Sequence, residues 1–263
     1  MTTFSVRSLS VGTVQVPGPE LYWMSDWDKW YDLEFQIALV QAPGMNILVN
    51  TGPPADLSPI NTMWMASLGD RGEFKRRPDQ EISAALAGVG LTPTDITHVI
   101  VTPFQLYSTG NLRLFTHAQI CLSKRGWIHY HTSHSHPHDS RWHCIDEATL
   151  VHLVTDGWDR VRLLEDEETV VPGIRTWFAG THHRASLAID VDTPSGVVCV
   201  SDAFFTYQNV EDGRILGISE SMYEALATYE RARTTSDIRF PLYDPEVFRR
   251  FPNGILVSQQ DGL

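Results

Sequence analysis

Two stretches of strand-like alternation, one early and one late in the chain, each followed by helical signals, constrain the fold most. In the early stretch Val11, Thr13 and Gln15 oppose Gly12, Val14 and Val16. Residues 35–42 and 46–50 then read as a hairpin around Pro43-Gly44. In the late stretch, which opens near Arg160, Leu187, Ile189 and Val191 alternate with Ala188, Asp190 and Asp192. A Pro194-Ser195-Gly196 turn leads from there into residues 197–200. Between them Asp79 is a good N-cap for a helix carrying Ile82, Leu86 and Val89 on one face, and Gly88 and Gly90 stop it. Residues 97–102 (THVIVT) form a short apolar strand before a loop. Ser221 and Glu224 make a capping box for a helix with Met222, Leu226 and Tyr229, and residues 254–257 close with a last strand. Strands and helices thus come in two similar halves, as in a mixed α+β domain.

The chain has 263 residues, which a prior of about 150 residues per domain places between one and two domains. No internal repeat, low-complexity tract or Pro/Gly/Ser-rich linker divides it, so a single domain over residues 1–263 is expected. With 42% apolar and 20% charged residues it can bury a large core, which excludes general disorder. A net charge of −12 argues against a phosphate-backbone partner, which needs clustered Lys and Arg. No run approaches the roughly 18–20 apolar residues of a membrane span, and the first residues lack the basic and apolar regions of a signal peptide. Cys121, Cys144 and Cys199 are odd in number and form no CxxC pair. They read as buried small hydrophobes rather than a disulfide framework, and the chain as cytoplasmic.

Residues 86–115 read LAGVGLTPTDITHVIVTPFQLYSTGNLRLF. This segment resembles the metallo-β-lactamase fold superfamily, in particular its N-acyl-homoserine-lactone lactonase branch. There a helix, a GL-x-P-x-DI turn and an apolar strand lead into a T-H-x-H-x-D-H loop. Other landmarks follow in order: residues 47–53 (ILVNTGP), 171–186 (VPGIRTWFAGTHHRAS), 197–203 (VVCVSDA) and 255–261 (ILVSQQD). The resemblance runs from about residue 35 onward and implies a four-layer αβ/βα sandwich with a site at one edge, between the halves. Its usual chemistry is hydrolysis by a metal-bound hydroxide, with histidines and carboxylates holding two zinc ions.

The ligand positions of that pattern are mostly changed here. The loop ligands fall on Pro103, Gln105, Tyr107 and Ser108, and the late histidine on Gln260, beside a retained Asp261. Proline has no donor side chain, glutamine offers a neutral carbonyl, and the Tyr and Ser hydroxyls stay protonated near neutral pH. His182 stands at the third-histidine position and Asp202 at the bridging position, while the early-strand Asp is Asn50. Two good donors fall short of the three a zinc ion takes from protein, so no metal cofactor is expected at this edge.

Three readings of the remaining pocket follow. A pseudoenzyme would bind a small molecule through Gln105, Tyr107, Ser108, His182, Asp202, Gln260 and Asp261. A metal-free hydrolase of an ester, lactone or amide would use Ser108 as nucleophile, His182 as base and Asp202 as orienting carboxylate, with Tyr107 as acid or oxyanion donor. A relocated zinc or nickel site would draw on an insertion at about residues 127–144, which holds six of the eleven histidines and in which His134, His136 and His138 alternate. The plainer reading of that insertion is a polar loop. His183 competes with His182 for the inward position. The aromatics Tyr22, Trp23, Trp27, Trp30 and Tyr31 read as the packed part of an N-terminal cover over about residues 1–34, and residues 165–168 as a solvated acidic turn. The expected partner is a small molecule, not nucleic acid or membrane; a homodimer is implied by the resemblance only.

Overall fold

A computed structural model describes residues 2–132 and 141–258. The first half builds a seven-stranded sheet. Its members are β1 (Ser5–Pro17), β2 (Trp30–Ala42), β3 (Met45–Val49), β4 (His98–Ile100), β5 (Gln119–Ser123) and β6 (Val161–Leu164), joined by the C-terminal strand Ile255–Val257 beside β1. The second half builds a five-stranded sheet from β7 (Glu167–Val171), β8 (Ile174–Phe178), β9 (Leu187–Thr193), β10 (Gly196–Ser201) and β11 (Ile238–Pro241). The β2–β3 hairpin turns at Pro43-Gly44 as its sequence requires.

Parallel neighbours need long crossovers, and these supply the outer layers. β3, β4, β5 and β6 run parallel, and the helices Ser58–Leu68, Ile82–Ala87, Lys124–His131 and Glu147–Val154 lie on the connections between them. β10 and β11 are also parallel, joined through the helix Met222–Thr235. The alternation along β9 explains how one sheet serves two layers. Leu187, Ile189 and Val191 enter the main core, while Ala188 packs with Trp177, Cys199, Ala225, Tyr229 and Ala232 beneath that helix. The arrangement is the expected α+β, four-layer sandwich of the metallo-β-lactamase fold.

Several local expectations are altered by packing. The helix from Ile82 is capped by Glu81, whose carboxylate accepts from the backbone N–H groups of Ser83 and Ala84, because a 3₁₀ turn at Pro78–Gln80 separates it from Asp79. The first residues are less a cover than the main body of the sheet, since β1 pairs with β2 along its length. A bulge between Ser10 and Gly12 interrupts that pairing. Gly12 takes φ +145°, and a Cβ there would meet the Phe74 ring at 2.2 Å. Of the early aromatics Tyr22 is buried, but Trp23 and Trp27 are 49% and 68% exposed. The acidic run is not simply solvated: Lys124 and Arg125 bind Glu165 and Asp166, Arg231 binds Glu167 and Arg162 binds Glu168. Cys121, Cys144 and Cys199 are buried and outside any disulfide, and burial pushes the Cys121 thiol up to about 12. No helix among the described residues is long and apolar enough to cross a membrane.

Candidate functional site

Loops after β3, β4, β8 and β10 meet at one edge of the sandwich. Asn50, just past β3, holds φ +69° and clamps the end of β4 with its amide. Its Nδ2 donates to the Thr102 carbonyl at 2.6 Å, and its Oδ1 accepts from the Thr102 N–H at 2.8 Å. Thr102 then bridges to the second sheet. Its Oγ1 accepts from the Leu187 N–H at 2.8 Å and reaches both the Leu187 carbonyl at 3.1 Å and Asp202 Oδ1. Asp202, fully buried beyond the end of β10, collects three donors from two loops, those after β4 and β8. Besides Thr102 it accepts from Ser186 Oγ at 2.5 Å and from His182 Nδ1 at 3.1 Å, both on Oδ2.

That hydrogen bond also assigns the histidine. With Nδ1 donating to Asp202, the neutral imidazole keeps its lone pair on Nε2. The backbone carrying His182 turns through Gly180 and Thr181, both at positive φ. Glu224 braces this turn, accepting from the Thr181 N–H at 3.2 Å and from the Arg184 guanidinium at 2.6 and 3.0 Å. Burial acts to raise the Glu224 pKa, but the Arg184 hydrogen bonds and the Thr181 N–H outweigh it and hold the carboxyl below its ordinary value. His183 is also nearly buried, and its Nδ1 accepts from the Ala185 N–H at 3.0 Å.

Ser108 and Tyr107 sit on the short helix Leu106–Thr109, with Gln105 at its N-cap. Ser108 is buried and its Oγ has no hydrogen-bond partner among the described residues, so it does not engage His182 in this arrangement. The Tyr243 hydroxyl, buried and without a well-formed hydrogen bond, lies within reach of the Tyr107 and Ser108 side chains, with Asp202 a further electrostatic neighbour. Burial first, and Tyr107 and Asp202 next, push its pKa well above the ordinary tyrosine value. A buried hydroxyl without a partner costs about 1–3 kcal/mol. Tyr243→Phe is therefore expected to leave stability unchanged or raise it by up to about 1 kcal/mol in urea denaturation; a loss above that would mean the hydroxyl has a partner in solution.

Above this polar floor opens a cavity of about 620 Å³. Val14, Val16, Leu33, Phe35, Met63, Trp64 and Leu68 form its apolar walls; Gln105, Tyr107, His182, His183 and Phe205 form the floor, and residues 217–220 the rim. Phe205 lies edge-on to His182 at 4.8 Å and to Tyr243 at 4.4 Å, fixing both rings.

Of the residues singled out by sequence, the fold brings Gln105, Tyr107, His182 and His183 into one cavity and places Asp202 behind His182. Gln260, Asp261, His134, His136 and His138 lie outside the described residues. The ends of the histidine-rich insertion are helical: His129 and His131 belong to Lys124–His131, and His143 to Arg141–Cys144. The His131 ring stands 4.5 Å from that of Trp127, and burial, with Arg141 nearby, lowers its pKa. Among the described residues, no group of three or more His, Cys, Asp or Glu stands close enough to hold a metal ion. Sequence reasoning missed Thr102, Phe205 and Tyr243. The Asp-Ala-Phe-Phe run and the position of Thr102 directly before Pro103 were the only local signals for them.

No family model matches the sequence. The curated N-acyl homoserine lactonase AiiB of Agrobacterium fabrum is 22% identical over 184 residues, which span 68% of this chain and 66% of that protein. Among solved structures, an N-acyl homoserine lactone hydrolase with N-hexanoyl-L-homoserine bound at its catalytic metal centre superposes with TM-score 0.77 at 22% identity, covering 96% of this chain and 99% of that one. AidC, a dizinc quorum-quenching lactonase in complex with its product, gives TM-score 0.66 at 13% identity over 96% and 90%. A probable metal-dependent hydrolase of Staphylococcus aureus gives 0.69 at 16% over 88% and 84%.

Proposed function

We propose that this chain, which has the metallo-β-lactamase fold of the N-acyl homoserine lactonases, binds and hydrolyses a small ester-, lactone- or amide-like molecule without a dinuclear metal centre. The observation that carries the reading is the His182–Asp202 pair at the floor of an apolar-walled cavity of about 620 Å³. The donor chemistry supports the metal-free part. His182 and Asp202 are bonded to each other, Asp202 is further occupied by Thr102 and Ser186, and Gln105, Tyr107 and Ser108 add neither imidazole nor carboxylate. Such a set does not fit two zinc ions, each of which takes at least three protein donors.

In this reading His182 Nε2 takes a proton from water as the water oxygen attacks the substrate carbonyl. The Tyr107 hydroxyl and the Gln105 amide, both in the cavity wall, donate to the developing oxyanion. When the intermediate collapses, the imidazolium returns the proton to the leaving oxygen or nitrogen. Asp202 holds the tautomer and faces the positive ring. The unpaired Ser108 Oγ favours water over an acyl-serine route.

A panel of activated esters and lactones tests this. Turnover is expected to survive exhaustive chelation, to fall about 10²–10⁴-fold in His182→Ala, and to change little in Ser108→Ala. Loss of turnover on chelation would overturn the metal-free reading. A large loss in Ser108→Ala would restore serine as nucleophile. Binding without turnover of any ester, lactone or amide would leave a non-catalytic binding or regulatory protein as the better account.

A further inference from the structure

Glu20 stands apart among the groups around the cavity. It lies on the turn Gly18–Leu21, is half-buried, and lines the cavity together with the apolar Val14, Val16, Leu33 and Phe35. Its backbone is fixed, since its carbonyl accepts from the Ile218 N–H at 3.0 Å. Its carboxylate has neither a hydrogen bond nor an ion pair among the described residues. The other carboxylate of the lining, Glu220, is paired with Arg184. No lysine or arginine is among the described residues that line the cavity. Burial alone raises the Glu20 pKa, with no neighbouring cation opposing it.

A half-desolvated carboxylate on an apolar wall is costly unless a positive group or strong donor meets it. The described lining places no lysine or arginine side chain against it. His182 and His183 have their Nδ1 atoms committed to Asp202 and Ala185. The rings of Phe35, Trp64 and Tyr107 line the same space, and aromatic rings attract cations at their faces. Accordingly, we infer that Glu20 makes the cavity selective for molecules carrying a protonated amine, the ammonium meeting Glu20 while the apolar part lies against Val16, Leu33 and Phe35. The inference rests on the small-molecule reading of the cavity and adds the substrate class: an amine-bearing ester, lactone or amide.

The test uses three probes of equal length, hexylammonium, hexan-1-ol and hexanoate, titrated against the full chain by ligand-observed NMR. The wild-type protein is expected to bind hexylammonium about tenfold more tightly than hexan-1-ol, with hexanoate weakest. In Glu20→Gln the ammonium advantage is expected to disappear while hexan-1-ol affinity stays within about twofold. The wild-type preference needs no variant, so a folding defect in Glu20→Gln would not hide it. Equal binding of hexylammonium and hexan-1-ol, or an ammonium advantage that survives Glu20→Gln, would overturn the inference and leave the cavity reading standing. Binding of none of the three would overturn both.

Discussion

Asp202→Ala is expected to cost about 2–6 kcal/mol of folding stability, a large share of the roughly 5–15 kcal/mol that holds a domain together. The reason is the number of donors that depend on one carboxylate. His182 Nδ1 and Ser186 Oγ both donate to Oδ2, in a place with little access to water. Thr102 is less affected, because its hydroxyl can turn to the Leu187 carbonyl at 3.1 Å. Alanine would leave the imidazole and the serine hydroxyl buried without acceptors, each at about 1–3 kcal/mol. Asp202→Asn keeps the volume but offers one acceptor oxygen and an amide donor, so an intermediate loss is expected. Urea denaturation of the two variants measures this directly. A loss below about 1 kcal/mol in Asp202→Ala would mean that water enters and satisfies the stranded groups.

The second large effect is expected at Gly217, on the rim of the cavity. A Cβ built there would sit 1.7 Å from the Pro19 carbonyl oxygen and 2.7 Å from Glu20 backbone atoms. Overpacking of this kind costs about 1–3 kcal/mol, and the obstacle is backbone rather than a flexible side-chain end, which puts Gly217→Ala at the upper limit. Relief requires residues 18–23 and 215–218 to separate. They are joined by the Ile218 N–H to Glu20 carbonyl bond at 3.0 Å and the Trp23 N–H to Ile215 carbonyl bond at 2.8 Å. Gly217→Ala is therefore expected to lower the melting temperature and weaken hexan-1-ol binding together. Gly88→Ala is the control, since Gly88 has φ −61° and its nearest new contact would be 3.4 Å. Equal melting temperatures for the two variants would show that the rim is looser than its geometry implies.

Much of the fold was legible because strand and helix periods are local. The alternation of Leu187, Ile189 and Val191 with Ala188 already separates the two faces of β9, and the hairpin announces itself at Pro43-Gly44. Local signals misled where a neighbour in sequence had a distant partner in space. Asp79 is a good cap by type, yet the turn at Pro78–Gln80 hands that place to Glu81. Trp23 and Trp27 belong in a core by hydrophobicity, but they lie on the short connection between two long strands and face outward.

By itself the sequence determined the α+β class, the order of the landmarks, and the residue types available at the edge: imidazole at 182, carboxylate at 202, and neutral side chains at 105, 107 and 108. Only the tertiary structure decided what those residues do to one another. Asp202 takes its donors from positions 16, 20 and 100 residues away in the chain, while Ser108 Oγ stays unpaired. Glu20, a lone carboxylate in the apolar stretch of residues 16–24, joins the cavity wall because residues 215–218 fold back against it. Periodicity and capping depend on neighbours a few residues apart. Hydrogen bonding inside a site depends on how two sheets pack, and that information is spread over the whole core.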